Sequence, residues 1–189
     1  MLMAGEAPMV RRSNSGILQR KKILDRTRVL FWQKGYDKTS MRDIANACGF
    51  EPANIYNYFI SKEHLLYEMV REEAERIVSL IKHLETDDVT SPVERLRILI
   101  DNHVHFALGY RRSSGLLFDT EFRHLLPAHR RSIIESRDAY DRILRKIIQA
   151  GIDTGDFAEV DVKMVSLTVA SMIVRSRIWF SPRGRLSLN

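Results

Sequence analysis

The sequence predicts an all-α protein of about eight helices: three form a small N-terminal unit and the rest a larger helical body. Three observations carry that expectation. Apolar residues recur with the helical period along nearly the whole chain, and no segment alternates convincingly as a strand does. Glycine and proline stand where helices would end and begin, as at Gly35, Gly49, Pro52, Pro92, Pro127 and Gly155. Charge is divided unevenly: residues 1–62 carry eleven Lys/Arg against five Asp/Glu, whereas residues 63–189 carry nineteen of each.

At 189 residues, 44% hydrophobic and 29% charged, the chain has the composition of a soluble globular protein with room for a small domain and a larger one. No stretch of about 18 uncharged apolar residues is present, so no membrane span is expected. Residues 1–15 read as a disordered tail and lack the apolar run of a secretory signal. Cys48 is the single cysteine, which excludes an intrachain disulfide and fits the reducing cytoplasm.

The first helix is expected over residues 17–34, with Ile23, Leu24, Thr27, Leu30 and Phe31 as its inward stripe and Gly35 as a left-handed stop. Ser40 precedes a short second helix striped by Met41, Ile44, Ala45 and Cys48 and ended by Gly49. Pro52 opens a third, expected to reach about Phe59. Ser61 is a suitable N-cap for a fourth, with Glu63 near its positive end; Leu66, Met69, Val70, Ile77, Leu80, Ile81 and Leu84 lie along one side. Ser91-Pro92-Val93-Glu94 reads as a capping box opening a fifth helix, striped by Leu96, Leu99, His103, Phe106, Ala107 and Tyr110 and broken at residues 112–115. A short helix to about Leu126 follows. After Pro127 a long one uses Ile133, Arg137, Tyr140, Leu144, Ile147, Ile148 and Gly151, and a last one spans about residues 162–180. Between residues 162 and 174 that last helix is apolar or small on almost every side, with Lys163 its only charge. A helix without a polar face must be covered on two sides, and a second copy of the chain is the expected second cover.

A basic unit joined to a neutral one is the pattern of a DNA-binding headpiece on a body that does not bind DNA. The residues agree. Small Ala45 and turn-forming Gly49, together with Ile55 and Phe59, fit a helix-turn-helix over residues 40–59, whose second helix enters the major groove. Ile55 and Phe59 face inward, whereas Asn54, Asn57, Tyr58 and Ser61 share the opposite face, which holds no acid and suits base edges and phosphates. Thr39 and Ser40 begin the second helix, where backbone N–H groups and the helix dipole favour a phosphate.

Residues 17–66 resemble the DNA-binding domain of the tetracycline-repressor (TetR) family. The matching residues are Phe31, Gly35-Tyr36, Thr39-Ser40-Met41-Arg42-Asp43-Ile44-Ala45, Gly49 and Ile55-Tyr56-Asn57-Tyr58-Phe59-Ile60-Ser61-Lys62-Glu63-His64-Leu65. The resemblance implies a DNA-binding domain over residues 16–65 and a ligand-binding, dimerising body over residues 66–189. It implies phosphate contacts from Thr39, Ser40, Tyr58 and Lys62, and groove contacts from Arg42, Pro52, Ala53, Asn54, Tyr56 and Asn57. Glu51-Pro52 stands where family members often have small or basic residues. Glu51 either accepts from a cytosine amino group or faces solvent.

An enzyme is not expected. Glu121-Phe122-Arg123-His124 matches a Glu-x-x-His di-iron element, but that chemistry needs two such elements and two further glutamates. His103 and His105, two apart on a helix, point to opposite sides and cannot chelate one metal. No serine-histidine-acid set or glycine-rich phosphate loop is present, and Cys48 reads as packing.

The body also resembles one branch of the family. Phe118-Asp119-Thr120-Glu121-Phe122-Arg123-His124-Leu125, Pro127, Arg137-Asp138-Ala139-Tyr140, Gly151, Gly155-Asp156-Phe157 and residues 179–187 are similar to regulators of fatty-acid, branched-chain or steroid catabolism that sense acyl-CoA thioesters. The chain has Val174-Arg175 where that branch often has Asn-Trp. What the resemblance implies is a homodimeric repressor of palindromic double-stranded DNA, released by a small-molecule effector such as an acyl-CoA, with no cofactor or metal. Candidate cavity residues are Met69, His103, Phe106, Tyr110, Phe118, Phe122, Tyr140, Met172 and Trp179, with Arg175 for phosphates or for an ion pair. The sequence ends at Asn189, where the family pattern begins a further helix, so a weaker dimer is expected. The alternatives are a helical ligand- or metal-binding protein without DNA function, and an activator.

Overall fold

The computed structural model describes residues 14–109, 121–181 and 183–185. Among these residues it contains seven α-helices and no strand: α1 (Asn14–Lys34), α2 (Met41–Cys48), α3 (Pro52–Tyr56), α4 (Lys62–Ile81), α5 (Pro92–Leu108), α6 (Pro127–Asp153) and α7 (Val162–Trp179). Single 3-10 turns span Lys82–Glu85 and Phe122–His124. The chain divides into two compact units, one through Lys62 and one from Glu63.

In the first unit the inward stripes meet as patterned. Ile23, Leu24, Phe31, Ile44, Ala45, Ile55 and Phe59 are all 1% exposed or less. Burying one such large apolar side chain contributes roughly 1.5–3 kcal/mol. Gly35 and Gly49 adopt φ of +81° and +70°, the left-handed geometry that closes α1 and α2. The Phe50 N–H, donating to the Ala45 carbonyl at 2.9 Å, seals the end of α2. Helix α3 stops at Tyr56, short of the expected Phe59. The coil nevertheless continues as a turn, with the N–H groups of Tyr58 and Phe59 both donating to the Ile55 carbonyl at 3.0 Å, which keeps Phe59 inward.

In the second unit the core comprises Ile81, Leu84, Leu99, Tyr140, Ile143, Leu144, Ile147 and Ile148, from α4, the turn after it, α5 and α6. Val162, Val165, Val169 and Ala170 of α7 pack on it. Ser91 accepts from the Glu94 N–H at 3.3 Å, but the reciprocal half of the expected capping box is replaced: Glu94 instead pairs with Arg97 at 2.6 and 2.9 Å. Helix α5 ends at Leu108, earlier than its stripe implied. Gly109 turns the chain where a β-carbon would lie 2.7 Å from the His105 carbonyl oxygen. Of the short helix expected before Pro127, the described part is helical Glu121 and the 3-10 turn after it; Tyr110, Phe118 and the 112–115 break lie outside the described residues.

Helix α7 is the least conventional. Its buried side holds Ser166, Ile173, Ser176 and Arg177, whereas Met164, Leu167, Met172, Ile178 and Trp179 are 49–67% exposed. The large apolar side chains thus face outward, and a charge faces in. Asp161 caps the helix through the Met164 N–H at 3.0 Å.

Candidate functional site

The first candidate site is the outer surface of α2 and α3. Ser40, Arg42, Ala53, Asn54, Tyr56 and Asn57 are exposed and Pro52 and Tyr58 half-buried, while Ile55 and Phe59 of the same segment are sealed inside. The alternation arises because a single helical turn anchored by two buried residues must present the residues between them. Tyr56, 52% exposed, belongs to the outer face rather than to the packing. Glu51 is exposed and makes no side-chain cap bond to α3.

The residues assigned to phosphates are arranged differently from one another. Thr39 is only 1% exposed, and its hydroxyl donates to the Gly35 carbonyl at 2.8 Å, tying down the end of α1. A side chain used in this way has its hydroxyl proton already committed inside the unit. Ser40 caps α2 by accepting from the Asp43 N–H at 3.1 Å. The Asp43 carboxylate in return accepts from the Ser40 hydroxyl at 2.6 Å and the Ser40 N–H at 2.8 Å. Those hydrogen bonds, reinforced by Lys34 at 3.5 Å, hold the Asp43 carboxyl down at about 2. The start of α2 therefore already carries an anion. This Ser-x-x-Asp box, with aspartate in place of the usual glutamate, is legible in the sequence, but the sequence reading missed it.

Tyr58 donates its hydroxyl proton to Gln19 on α1 at 2.6 Å. Lys62 donates to the Tyr36 carbonyl at 2.8 Å and sits 4.2 Å above the centre of the Tyr36 ring. Both cation and phenol are held in place by α1 and the turn after it, so they are pre-positioned rather than free-swinging. Cys48 is buried, and burial pushes its thiol up from the usual value.

The second candidate site is a cavity of about 670 Å³ in the body, lined from α4, α5, α6 and α7. Of the candidate cavity residues, His103, Phe106, Tyr140 and Arg175 line it. Met172 and Trp179 do not. They sit on the outward face of α7, together with Met164, Leu167, Thr168 and Ser171, along a shallow groove that Arg175 also borders. Helical spacing places a residue on one face or the other, and which of the two apolar faces of α7 meets the core was undetermined from pattern alone. Met69 is buried away from the cavity lining, and Phe122 lies beneath the Arg137 guanidinium at 5.0 Å, Arg137 itself being a lining residue.

The polar lining was largely missed. Glu73 and Arg177 form an ion pair at 2.9 Å, with side chains 12% and 6% exposed. Ser166 donates to Asp141 at 2.7 Å, and Arg145 pairs with the same carboxylate at 2.7 Å. His103 Nδ1 lies 2.7 Å from the Tyr140 hydroxyl. Burial, aided by the positive charge of Arg177, lowers the His103 imidazole to about 4, and burial raises the Tyr140 phenol, so both are neutral near pH 7. Glu121 and His124 pair with each other at 3.2 Å. Among the described residues no group of three or more His, Cys, Asp or Glu stands together to hold a metal, and no helix is long and apolar enough to cross a membrane.

Two family models match the chain: the bacterial regulatory proteins of the tetR family over residues 23–69, and the tetracyclin repressor-like C-terminal domain over residues 89–189. The chain belongs to the TetR family. As a TetR-family protein it is a DNA-binding transcriptional regulator and not an enzyme. Among relatives, the transcriptional repressor KstR2 of Mycolicibacterium smegmatis is 26% identical over 171 residues, covering 89% of this chain and 82% of its own. The TetR-family regulator PfmR from Thermus thermophilus superposes with a TM-score of 0.81 at 31% identity, over 88% of this chain and 90% of that one. AibR, whose structure was solved in complex with isovaleryl coenzyme A and operator DNA, shares the fold with a TM-score of 0.80 at 24% identity, over 90% and 91% of the two chains.

Proposed function

We propose that this TetR-family protein is a cytoplasmic repressor that binds a palindromic operator as a homodimer and is released by a lipid-derived effector of the acyl-CoA class. The observation that carries the DNA half is the surface of α2 and α3: Arg42, Pro52, Ala53, Asn54, Tyr56 and Asn57 reach base edges, while Ile55 and Phe59 fix the helix beneath them. Tyr58 and Lys62, each pre-bonded to the unit that carries it, serve phosphates. Because the Ser40 hydroxyl proton and the start of α2 are occupied by Asp43, Ser40 contributes mainly by shaping that helix. Thr39 contributes by locking the turn before it.

The effector half rests on the body cavity, together with the likeness to KstR2, a repressor, and to AibR, which binds isovaleryl coenzyme A and operator DNA. An effector lowers DNA affinity only by binding better to the form that cannot span two successive major grooves, about 34–36 Å apart. The outward apolar stripe of α7, Met164, Leu167, Met172, Ile178 and Trp179, is the surface on which two copies pair.

The test is a titration of promoter DNA flanking the protein's own gene, with and without acyl-CoA thioesters. Salt-sensitive, sequence-preferring binding that the thioesters reverse is the expected result; binding indifferent to sequence overturns the reading. Asn57→Ala should cost roughly 1–3 kcal/mol and relax preference at one base position. Arg42→Ala should weaken all sequences alike if it holds a phosphate instead. Met172→Asp, at an exposed position, should shift sedimentation toward monomer without lowering helix content.

A further inference from the structure

The inner end of the body cavity has a chemical character of its own. Polar side chains reach it from four helices, among them Glu73 from α4, His103 from α5, Tyr140 from α6 and Arg177 from α7. His103, Tyr140 and Arg177 are 5–8% exposed. Toward the mouth the lining becomes exposed, at Ile134, Arg137, Ser171 and Arg175.

Charges at the inner end are already matched. Glu73 and Arg177 neutralise each other, and the nearby Asp141 carboxylate is held by Ser166 and Arg145. The His103–Tyr140 pair is different. Its members are neutral near pH 7, and the Tyr140 hydroxyl occupies only Nδ1 of the ring. His103 Nε2, on a side chain more than nine-tenths buried against the cavity, has no protein hydrogen-bond partner among the described residues.

The pair offers the same thing in either tautomer. If the phenol donates to Nδ1, then Nε2–H is a donor to the cavity and the phenol oxygen an acceptor. If Nδ1–H donates to the phenol oxygen, the phenol proton becomes the donor and Nε2 the acceptor. A neutral oxygen group satisfies either state, whereas a bare hydrocarbon leaves a buried polar atom unmatched. A carboxylate would arrive where no cation is spare.

We infer that His103 and Tyr140 are the specificity-determining pair of this cavity and that the buried end of the effector carries a hydroxyl or ketone on an apolar skeleton. Anionic portions of the molecule stay at the mouth, beside Arg137 and Arg175. The inference rests on the effector reading above for its regulatory meaning, but its chemistry is separable.

The test uses full-length protein labelled with ¹⁵N-histidine, with the His103 nitrogens assigned by their loss in His103→Leu. Cyclohexanone, cyclohexanol and methylcyclohexane are titrated as probes of similar size. The oxygenated pair should shift His103 Nε2 and bind about five- to tenfold more tightly than methylcyclohexane, the ratio one net hydrogen bond supplies. Tyr140→Phe should bring that preference below about twofold. Equal affinity for all three probes in the wild type, or an unmoved His103 Nε2, overturns the inference, and the wild-type spectrum decides this even if a variant folds poorly. If cyclohexanone moves His103 but acyl-CoA thioesters neither compete with it nor release DNA, the effector reading fails and the pair assignment stands. If thioesters release DNA while cyclohexanone leaves His103 unmoved, the assignment fails alone.

Discussion

Replacing Glu73 by glutamine changes almost nothing in shape and removes one charge, and its consequence follows from where that charge sits. The carboxylate of Glu73 lies 2.9 Å from the Arg177 guanidinium, joining α4 to α7 across 104 positions of sequence, with the two side chains only 12% and 6% exposed. On the surface such a pair contributes at most about 1 kcal/mol. Here its removal takes the carboxylate from a guanidinium whose side chain is only 6% exposed, and Glu73→Gln should cost roughly 3–5 kcal/mol. For a body of this size that corresponds to a fall in Tm of roughly 10–20 °C. The double variant Glu73→Leu/Arg177→Met, which removes both charges and keeps the volume apolar, should recover most of the loss. Urea unfolding followed by circular dichroism reads both, at one fixed protomer concentration because a dimer's stability depends on it. An unchanged m-value shows that stability alone has moved. A Glu73→Gln loss below about 1 kcal/mol would mean that water reaches the pair and the burial argument is wrong. A double variant no better than the single one would refute it too.

The His103 imidazole titrates near 4 in the folded protein and near 6.5 when unfolded, so the unfolded chain binds more protons between those values. Stability is therefore full above about pH 6.5 and falls by up to about 3 kcal/mol as pH drops toward 4; His103→Leu should flatten the urea midpoint over that window, and an unchanged slope would count against the burial of the imidazole. At Gly151 an added β-carbon would collide with the Phe157 ring; the Phe157 backbone N–H donates to the Gly151 carbonyl at 2.9 Å. Gly151→Ala should thus destabilise by about 1–3 kcal/mol despite the better helix propensity of alanine, and a raised Tm would show that the ring moves aside easily. Thr39→Val should cost about 1 kcal/mol through its lost bond to Gly35 yet leave operator affinity and its salt dependence unaltered well below Tm. A loss of affinity shared equally by all sequences would place Thr39 at a phosphate after all.

The class of protein, the headpiece and most helix boundaries were legible in the sequence because local chemistry sets them. Gly35 and Gly49 are placed where a left-handed residue must stand, and Ile55 and Phe59 are four apart on a helix too short to offer another anchor. The proline starts of α3, α5 and α6 are equally local. Packing settled what local pattern leaves degenerate. Helix α7 is apolar nearly all round, so periodicity could not tell that Met172 and Trp179 face out while Arg177 faces in; the inward charge meets a carboxylate from α4, far away in the sequence. The same holds for Thr39 and Lys62, whose side chains are claimed by Gly35 and Tyr36, and for His103, whose neutrality comes from burial and from Arg177, 74 positions further along the chain. A residue's element is written in its neighbours along the chain; its charge state and direction depend on residues brought beside it by packing.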